Sequence, residues 1–400
     1  MANTSVLISG IGIAGPTLAY WLLRAGFSPT LVERAPQLRR GGYVIDFWGL
    51  GFDIAERMRL VPELRSEGYD IQELRLVNAK GRRVAGFGVD VFRKLTHGRY
   101  VSIARSELAS LIYRKVEGRC EAIFGDSIAR IDQSGDGATV TFERGDQRSF
   151  DLVIGADGLH SRVREVAFGR QNRFEVYLGY KVAAFEVEGY RPRDELAYVS
   201  YCLPGRQAAR FALRGDRTLI LMIFASDRSS GPDLREARSQ KAFLHHVFGK
   251  AGWECPQMLA ALDRCEDLYF DDVSQIKMTS WTSGHIALLG DAGFCPSLLA
   301  GQGSALAMVA AYVLAGELAR SPDRPLVALE RYEKLLQPFM DGKQKAAERF
   351  SRSFAPRTRL GLYFRNQMTK AFALPIVARF ALGRSLLDRL ELPEHRWMGG

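Results

Sequence analysis

Gly10-Ile11-Gly12-Ile13-Ala14-Gly15 carries the spacing G-x-G-x-x-G. Gly10 permits a tight turn, Gly12 lets backbone amides approach a ligand closely, and Gly15 lets a helix pack against a strand. The motif follows a β-rich run at 4–9 and opens a stretch at 14–26, where Leu18, Trp21 and Leu22 recur at helical spacing. A second strand at 29–34 ends in Glu33 and Arg34. Unpaired N–H groups at a helix start, around Ile13 and Ala14, suit a pyrophosphate. Glu33, 18 residues after Gly15, suits a ribose 2′-hydroxyl and repels a 2′-phosphate, which disfavours NADP in this loop. With 39 glycines in the chain a bare match is weak; the strand, helix and acid around this one give it weight.

A dinucleotide loop alone does not separate FAD from NAD, but two later segments bear on that choice. Residues 154–164 follow a strand and carry D-G-x-x-S-x-x-R through Asp157, Gly158, Ser161 and Arg164. Residues 288–303 carry Gly290-Asp291, then Pro296, then Gly301-Gln302-Gly303, with Ser304 next.

In this order and spacing, the three segments resemble the flavoprotein monooxygenases built like para-hydroxybenzoate hydroxylase, and within them the tetracycline-inactivating branch. The resemblance spans roughly residues 4–340. It implies that FAD is the cofactor, with Asp291 on the ribityl chain and Gly301-Gln302-Gly303 beside the flavin ring. The helix after that turn would aim its N-terminus at the N1/O2 edge, where reduced flavin is anionic. Arg40-Gly41-Gly42 would lie along the flavin, and Arg105 would contact FAD on the pyrophosphate and ring side. Asp157 would sit where FAD and the nicotinamide cofactor meet. The sequence departs from the family at Gly290-Asp291-Ala292-Gly293-Phe294, which usually reads Gly-Asp-Ala-Ala-His. An acidic position often found after the glycine turn is also missing near Met308-Val309. These differences bear on the substrate side of the flavin.

The activity implied is oxygen insertion. NAD(P)H reduces FAD, oxygen adds at the flavin C4a position, and one oxygen atom passes to an electron-rich aromatic or polycyclic molecule. Only one well-placed G-x-G-x-x-G is present, which suits a nicotinamide that docks transiently. The competing reading is an FAD-dependent reductase or dehydrogenase of the same fold that inserts no oxygen. No acid–base dyad stands out, and an electron-rich substrate needs none. Tyr180, Phe185, Tyr198, Tyr201, Phe211, Met222 and Phe224 lie in strand-like runs that could line a substrate pocket, or simply fill a core.

The bulk composition agrees with this reading. A chain of 400 residues with 47% hydrophobic and 25% charged content is expected to form more than one packed domain. The expected fold is α/β: a Rossmann-type FAD-binding domain (1–172 and 276–340), an inserted mostly antiparallel β-sheet domain for substrate (173–275), and a C-terminal helical region (341–400). In the tail, Pro338, Pro356 and Pro375 are expected to interrupt the helices. The formal charge of +10 is uneven: residues 351–400 carry nine Lys/Arg against three Asp/Glu. That is not a nucleic-acid footprint. The basic, apolar run at 357–389 admits two readings, a helix docked over both domains, which we prefer, or a helix lying on an anionic membrane. Five scattered cysteines, no CxxC pair and adjacent His245-His246 predict reduced thiols and no zinc site. The N-terminal residues lack a basic n-region, and no uninterrupted apolar window is long enough to span a bilayer, so a cytoplasmic protein is expected.

Overall fold

The computed structural model describes residues 4–39, 41, 43–227, 236–372, 377, 390–395 and 397, with backbone only at 352–354. The strands Ser5–Ser9, Ser28–Glu33, Glu121–Phe124, Leu152–Gly155 and Ile286–Leu288 pair in parallel, and Thr282–Ser283 adds an antiparallel edge. Val6, Leu7 and Ile8 are fully buried, as expected of a central parallel strand covered on both faces. The helix Ala14–Arg24 follows the first strand and packs on the helix Gly303–Arg320, with the Trp21 and Tyr312 rings edge to face at 5.0 Å. The latter helix is long and apolar enough to cross a membrane, with mean hydropathy 1.2, but is 78% buried inside the protein. It is a core helix, buried on every side from Leu306 to Leu318.

A second sheet of seven strands runs in the order Tyr269–Ile276, Glu175–Glu188, Arg217–Ala225, Arg206–Ala212, Ala197–Leu203, Glu73–Val77 and Arg83–Gly88. It is antiparallel except where Ala197–Leu203 meets Glu73–Val77. The sheet is therefore not confined to 173–275, because two of its strands come from the first hundred residues. One face is covered by the helices Ala237–Phe248 and Cys255–Arg264. The other packs toward Tyr43 and Leu299, beside the parallel-sheet domain.

The tail departs from expectation at one proline. Pro338 lies inside the 30-residue helix Pro325–Phe354, which continues through it. An interior proline costs about 3 kcal/mol. The burial of Leu329, Tyr332, Leu336 and Met340 on this helix outweighs that cost. Pro356 does fall in the break before Arg359–Ala371, and Pro375 lies outside the described residues.

Candidate flavin site

The three glycine-bearing segments converge. Gly10 (φ 108°) lies so close to the second segment that an added Cβ would meet the Ala156 carbonyl oxygen at 2.5 Å. A Cβ at Gly290 would meet Ala14 at 3.4 Å, which sets the third segment against the start of the first helix. Arg164 ties the second segment to the third: its Nη1 donates to the Ala292 carbonyl at 2.8 Å and its Nη2 to Leu159 at 2.7 Å. Arg164 is fully buried. The arginine of the second motif is thus a staple between loops, a role that isolated spacing does not reveal.

Each glycine position has its own constraint. A Cβ at Gly15 would come within 2.0 Å of the Gly10 carbonyl oxygen, so the turn and the helix cannot close over any side chain there. A Cβ at Gly12, Gly41, Gly158 or Gly301 would meet no protein atom within 4 Å. At Gly12, where φ is not positive, no protein atom requires glycine, and the bare backbone is left open to the close approach of a ligand. The helix Ala14–Arg24 has no side-chain cap and no acid in its first turn, which leaves its N-terminus suited to an anion. The helix Gly303–Arg320, with Ser304 in its first turn, has the same two properties behind its N-cap Gln302. These features fit FAD.

Glu33 accepts from the Ile11 N–H and the Ala35 N–H, both at 3.0 Å, and so holds the first loop while retaining lone pairs for a ribose. The neighbouring Arg34 is exposed. Asp157 accepts from the Arg162 N–H at 2.8 Å, the Val163 N–H at 3.1 Å and the hydroxyl of Ser161, the N-cap of the helix Arg162–Phe168, so it holds that helix start. Burial nevertheless keeps its carboxyl pKa above the ordinary value. Pro296 is buried, and its carbonyl accepts from Gln275 Nε2 at 2.8 Å. Gln302 is held by Lys343, whose Nζ donates to its Oε1 at 3.1 Å. Arg40 and Gly42 lie outside the described residues; Gly41, between them, takes φ 76°.

Where the third segment turns, Asp291 lies beside Gly303, whose added Cβ would approach Oδ1 to 3.4 Å. Burial raises its carboxyl pKa, opposed by the Arg105 charge and a hydrogen bond with Cys295. Burial also works against the Arg105 cation, but Tyr43, Asp291 and Tyr269 outweigh it and hold that pKa above its ordinary value. Arg105 and Tyr43 are further joined through the Arg105 N–H and the Tyr43 carbonyl at 3.0 Å. The Tyr43 hydroxyl is pushed up to about 12, chiefly by burial. Its ring centroid lies 5.9 Å from that of Tyr269, on the edge strand of the seven-stranded sheet. Sequence reasoning named Arg105 and Asp291 but missed Tyr43, Tyr269 and Cys295. Of these, only Tyr43 carried a signal, as the aromatic residue directly after the glycine pair.

The seven substrate candidates separate by strand alternation. Tyr180, Tyr198 and Phe211 lie on the sheet face toward Tyr43 and Leu299. Tyr198 is half-buried, whereas the Tyr180 hydroxyl is engaged by the Ala355 carbonyl at 2.9 Å and Phe211 is fully buried. Tyr201, Met222 and Phe224 lie on the opposite face, together with Phe185, in the core shared with Leu244, Phe248 and Met258. Those four candidates are thus corrected to core packing. Phe224→Leu is expected to cost about 1–2 kcal/mol in chemical denaturation without changing KM. Tyr198→Ala should raise KM; equal KM effects from both variants would reject this assignment of faces. Two open clefts of about 760 and 730 Å³ lie elsewhere and are lined by none of the motif residues.

A polar clasp joins the two sheets beside the site. His160 Nε2 lies 3.1 Å from both Asp271 oxygens. The Asp271 hydrogen bond raises the His160 pKa, against partial desolvation. The clasp therefore contributes fully below the ordinary histidine value of 6.5 and is lost as pH rises through the folded value. The thermal midpoint of the wild type, measured from pH 6 upward, should fall toward that of His160→Gln; parallel curves would contradict this.

Residues 3–338 match the family described as FAD binding domain. A flavin-dependent monooxygenase from an unknown prokaryotic organism is 36% identical over 359 residues, covering 88% of this chain and 90% of that protein. Another, from Legionella longbeachae serogroup 1 (strain NSW150), is 34% identical with coverage of 88% and 90%. The crystal structure of tetracycline destructase Tet(55) superposes with a TM-score of 0.83 at 32% identity, covering 99% of this chain and all of that one. HpxO of Klebsiella pneumoniae, solved with FAD and uric acid, shares the fold at a TM-score of 0.79 and 21% identity. Fold and site together define a class A flavoprotein with a Rossmann-type FAD-binding domain and a second, seven-stranded sheet. The chain belongs to the FAD-binding family of flavin-dependent monooxygenases.

Proposed function

We propose that this enzyme uses NAD(P)H and oxygen to insert one oxygen atom into an aromatic or polycyclic small molecule. The observation that carries the reading is the meeting of Arg105, Asp291 and Tyr43 with Tyr269 of the seven-stranded sheet, which brings flavin-binding groups and an aromatic wall to one place. FAD, when bound, supplies the redox and oxygen-activating chemistry. The chain's own residues position it. The first-helix amides would face the pyrophosphate, Asp291 would accept from the ribityl hydroxyls, and Arg105 would set a positive charge beside the cofactor. The sheet face bearing Tyr198 then offers an apolar, partly hydroxylated surface to a flat substrate. The similarity to a tetracycline destructase supports a polycyclic substrate, and the single dinucleotide loop supports a nicotinamide that docks only in passing. The test is NAD(P)H oxidation and oxygen uptake by the FAD-loaded enzyme against a panel of phenols and tetracyclic compounds. Stimulated uptake with a product heavier by one oxygen atom is expected. Turnover of substrate without oxygen would replace this reading with a reductase.

A further inference from the structure

The helix Arg359–Ala371 turns its apolar side to solvent. Leu362, Arg365, Asn366 and Thr369 recur at three- and four-residue spacing and, with Gly361 and Ala371, are the half-buried or buried positions of this helix. They lie on the side packed along the strands Arg83–Gly88 and Ala197–Leu203. Arg365 Nη1 reaches Cys202 Sγ at 3.0 Å, and at the helix end Phe372 meets the Phe87 ring edge to face. On the other side Leu360, Tyr363, Phe364 and Met368 are 65%, 58%, 60% and 51% exposed. They are four of the eight exposed large hydrophobic side chains among the described residues, gathered on one 13-residue helix. A helix on a water-facing surface normally buries such a stripe and exposes its polar side.

Charge narrows what this face meets. The helix contains no Asp or Glu, and Arg359 and Lys370 are exposed beside the apolar stripe, while Arg357 ahead of it donates to the Gly179 carbonyl. The sequence that follows, 373–389, adds Arg379, Arg384 and Arg389 against the single acid Asp388. Aromatic and leucine side chains ringed by cations match the boundary between lipid headgroups and acyl chains of a negatively charged bilayer. We propose that this helix face docks the protein on an anionic phospholipid bilayer. The sequence offers a helix docked over both domains and a helix on a membrane as alternatives; its half-buried side packs on two strands of the seven-stranded sheet, and its apolar side is left for the bilayer.

The test is co-sedimentation of the full-length, FAD-loaded protein with vesicles of phosphatidylcholine alone and of phosphatidylcholine with phosphatidylglycerol, at low and high salt. Lipid-dependent pelleting with the anionic vesicles, weakened by salt, is expected. The triple variant Leu360→Ser, Tyr363→Ser, Phe364→Ser should partition at least about tenfold less while keeping its flavin absorbance, because all three side chains are exposed. Arg359→Glu with Lys370→Glu should abolish the anionic preference. Absence of lipid-dependent pelleting, or equal partitioning by the triple variant, overturns the proposal. So does a wild-type dimer in sedimentation velocity that the triple variant converts to monomer, which would assign the face to a second copy of the chain.

Discussion

Gly12→Val should yield a folded, colourless protein. The added side chain meets no protein atom within 4 Å at its Cβ, and φ at Gly12 is not positive, so folding has little reason to suffer. The space it fills is the approach of a pyrophosphate to the first-helix amides. FAD affinity should fall by about a hundredfold or more, equivalent to at least about 3 kcal/mol of binding. Gly15→Ala gives the opposite pattern. Its methyl group would come within 2.0 Å of the Gly10 carbonyl oxygen, so the strand–turn–helix unit must open. Overpacking of this kind costs about 3 kcal/mol, and the loss should appear in denaturation of the apoprotein before any cofactor is added. The two variants thus separate a glycine kept for the ligand from one kept for the fold. Denaturant titration of both apoproteins with FAD fluorescence quenching checks the pair. A Gly12→Val protein that still binds FAD tightly would remove the pyrophosphate from this loop.

Arg164→Met should be the most damaging single change away from the first loop. The guanidinium is buried and donates to the Ala292 and Leu159 carbonyls and to Gln171 Oε1 at 3.2 Å, with no carboxylate among the described residues in direct contact. Methionine matches much of the volume but leaves those acceptors without donors. Each buried orphan costs about 1–3 kcal/mol, so a loss of about 3–5 kcal/mol is expected in denaturation of the apoprotein. Because Ala292 adjoins Asp291, FAD binding should weaken as well. Arg164→Lys keeps the charge but not the fork, and should fall between the two. A Met variant as stable as the wild type would contradict the stapling role.

How much of this was readable in the sequence follows from how local each constraint is. The first loop was legible because Gly10, Gly15 and Glu33 answer to each other over two dozen residues, and a turn, a helix start and a strand end leave fixed marks. Asp291 and Arg105 could be named only through resemblance, since nothing in their local sequence shows that they meet across 186 positions. Tyr43, Tyr269 and Cys295 left little mark, because a tyrosine or cysteine beside a cofactor has no spacing rule of its own. The substrate candidates show a different limit. Alternation alone puts Tyr198 and Tyr201 on opposite faces, but which face turns to the flavin depends on the helices 237–264 covering the other. The recruitment of Glu73–Val77 into the second sheet, parallel to Ala197–Leu203, was likewise hidden. Pairing over such a separation has no local signal.

The most direct test of the central claim is titration of the apoprotein with FAD, followed by quenching of flavin fluorescence. If the three segments close around one flavin dinucleotide, quenching saturates at one FAD per chain and the complex is yellow. NAD at the same concentration neither quenches nor competes. No saturable quenching, or displacement of FAD by NAD, would show that the convergence of Gly12, Arg105 and Asp291 serves some other ligand.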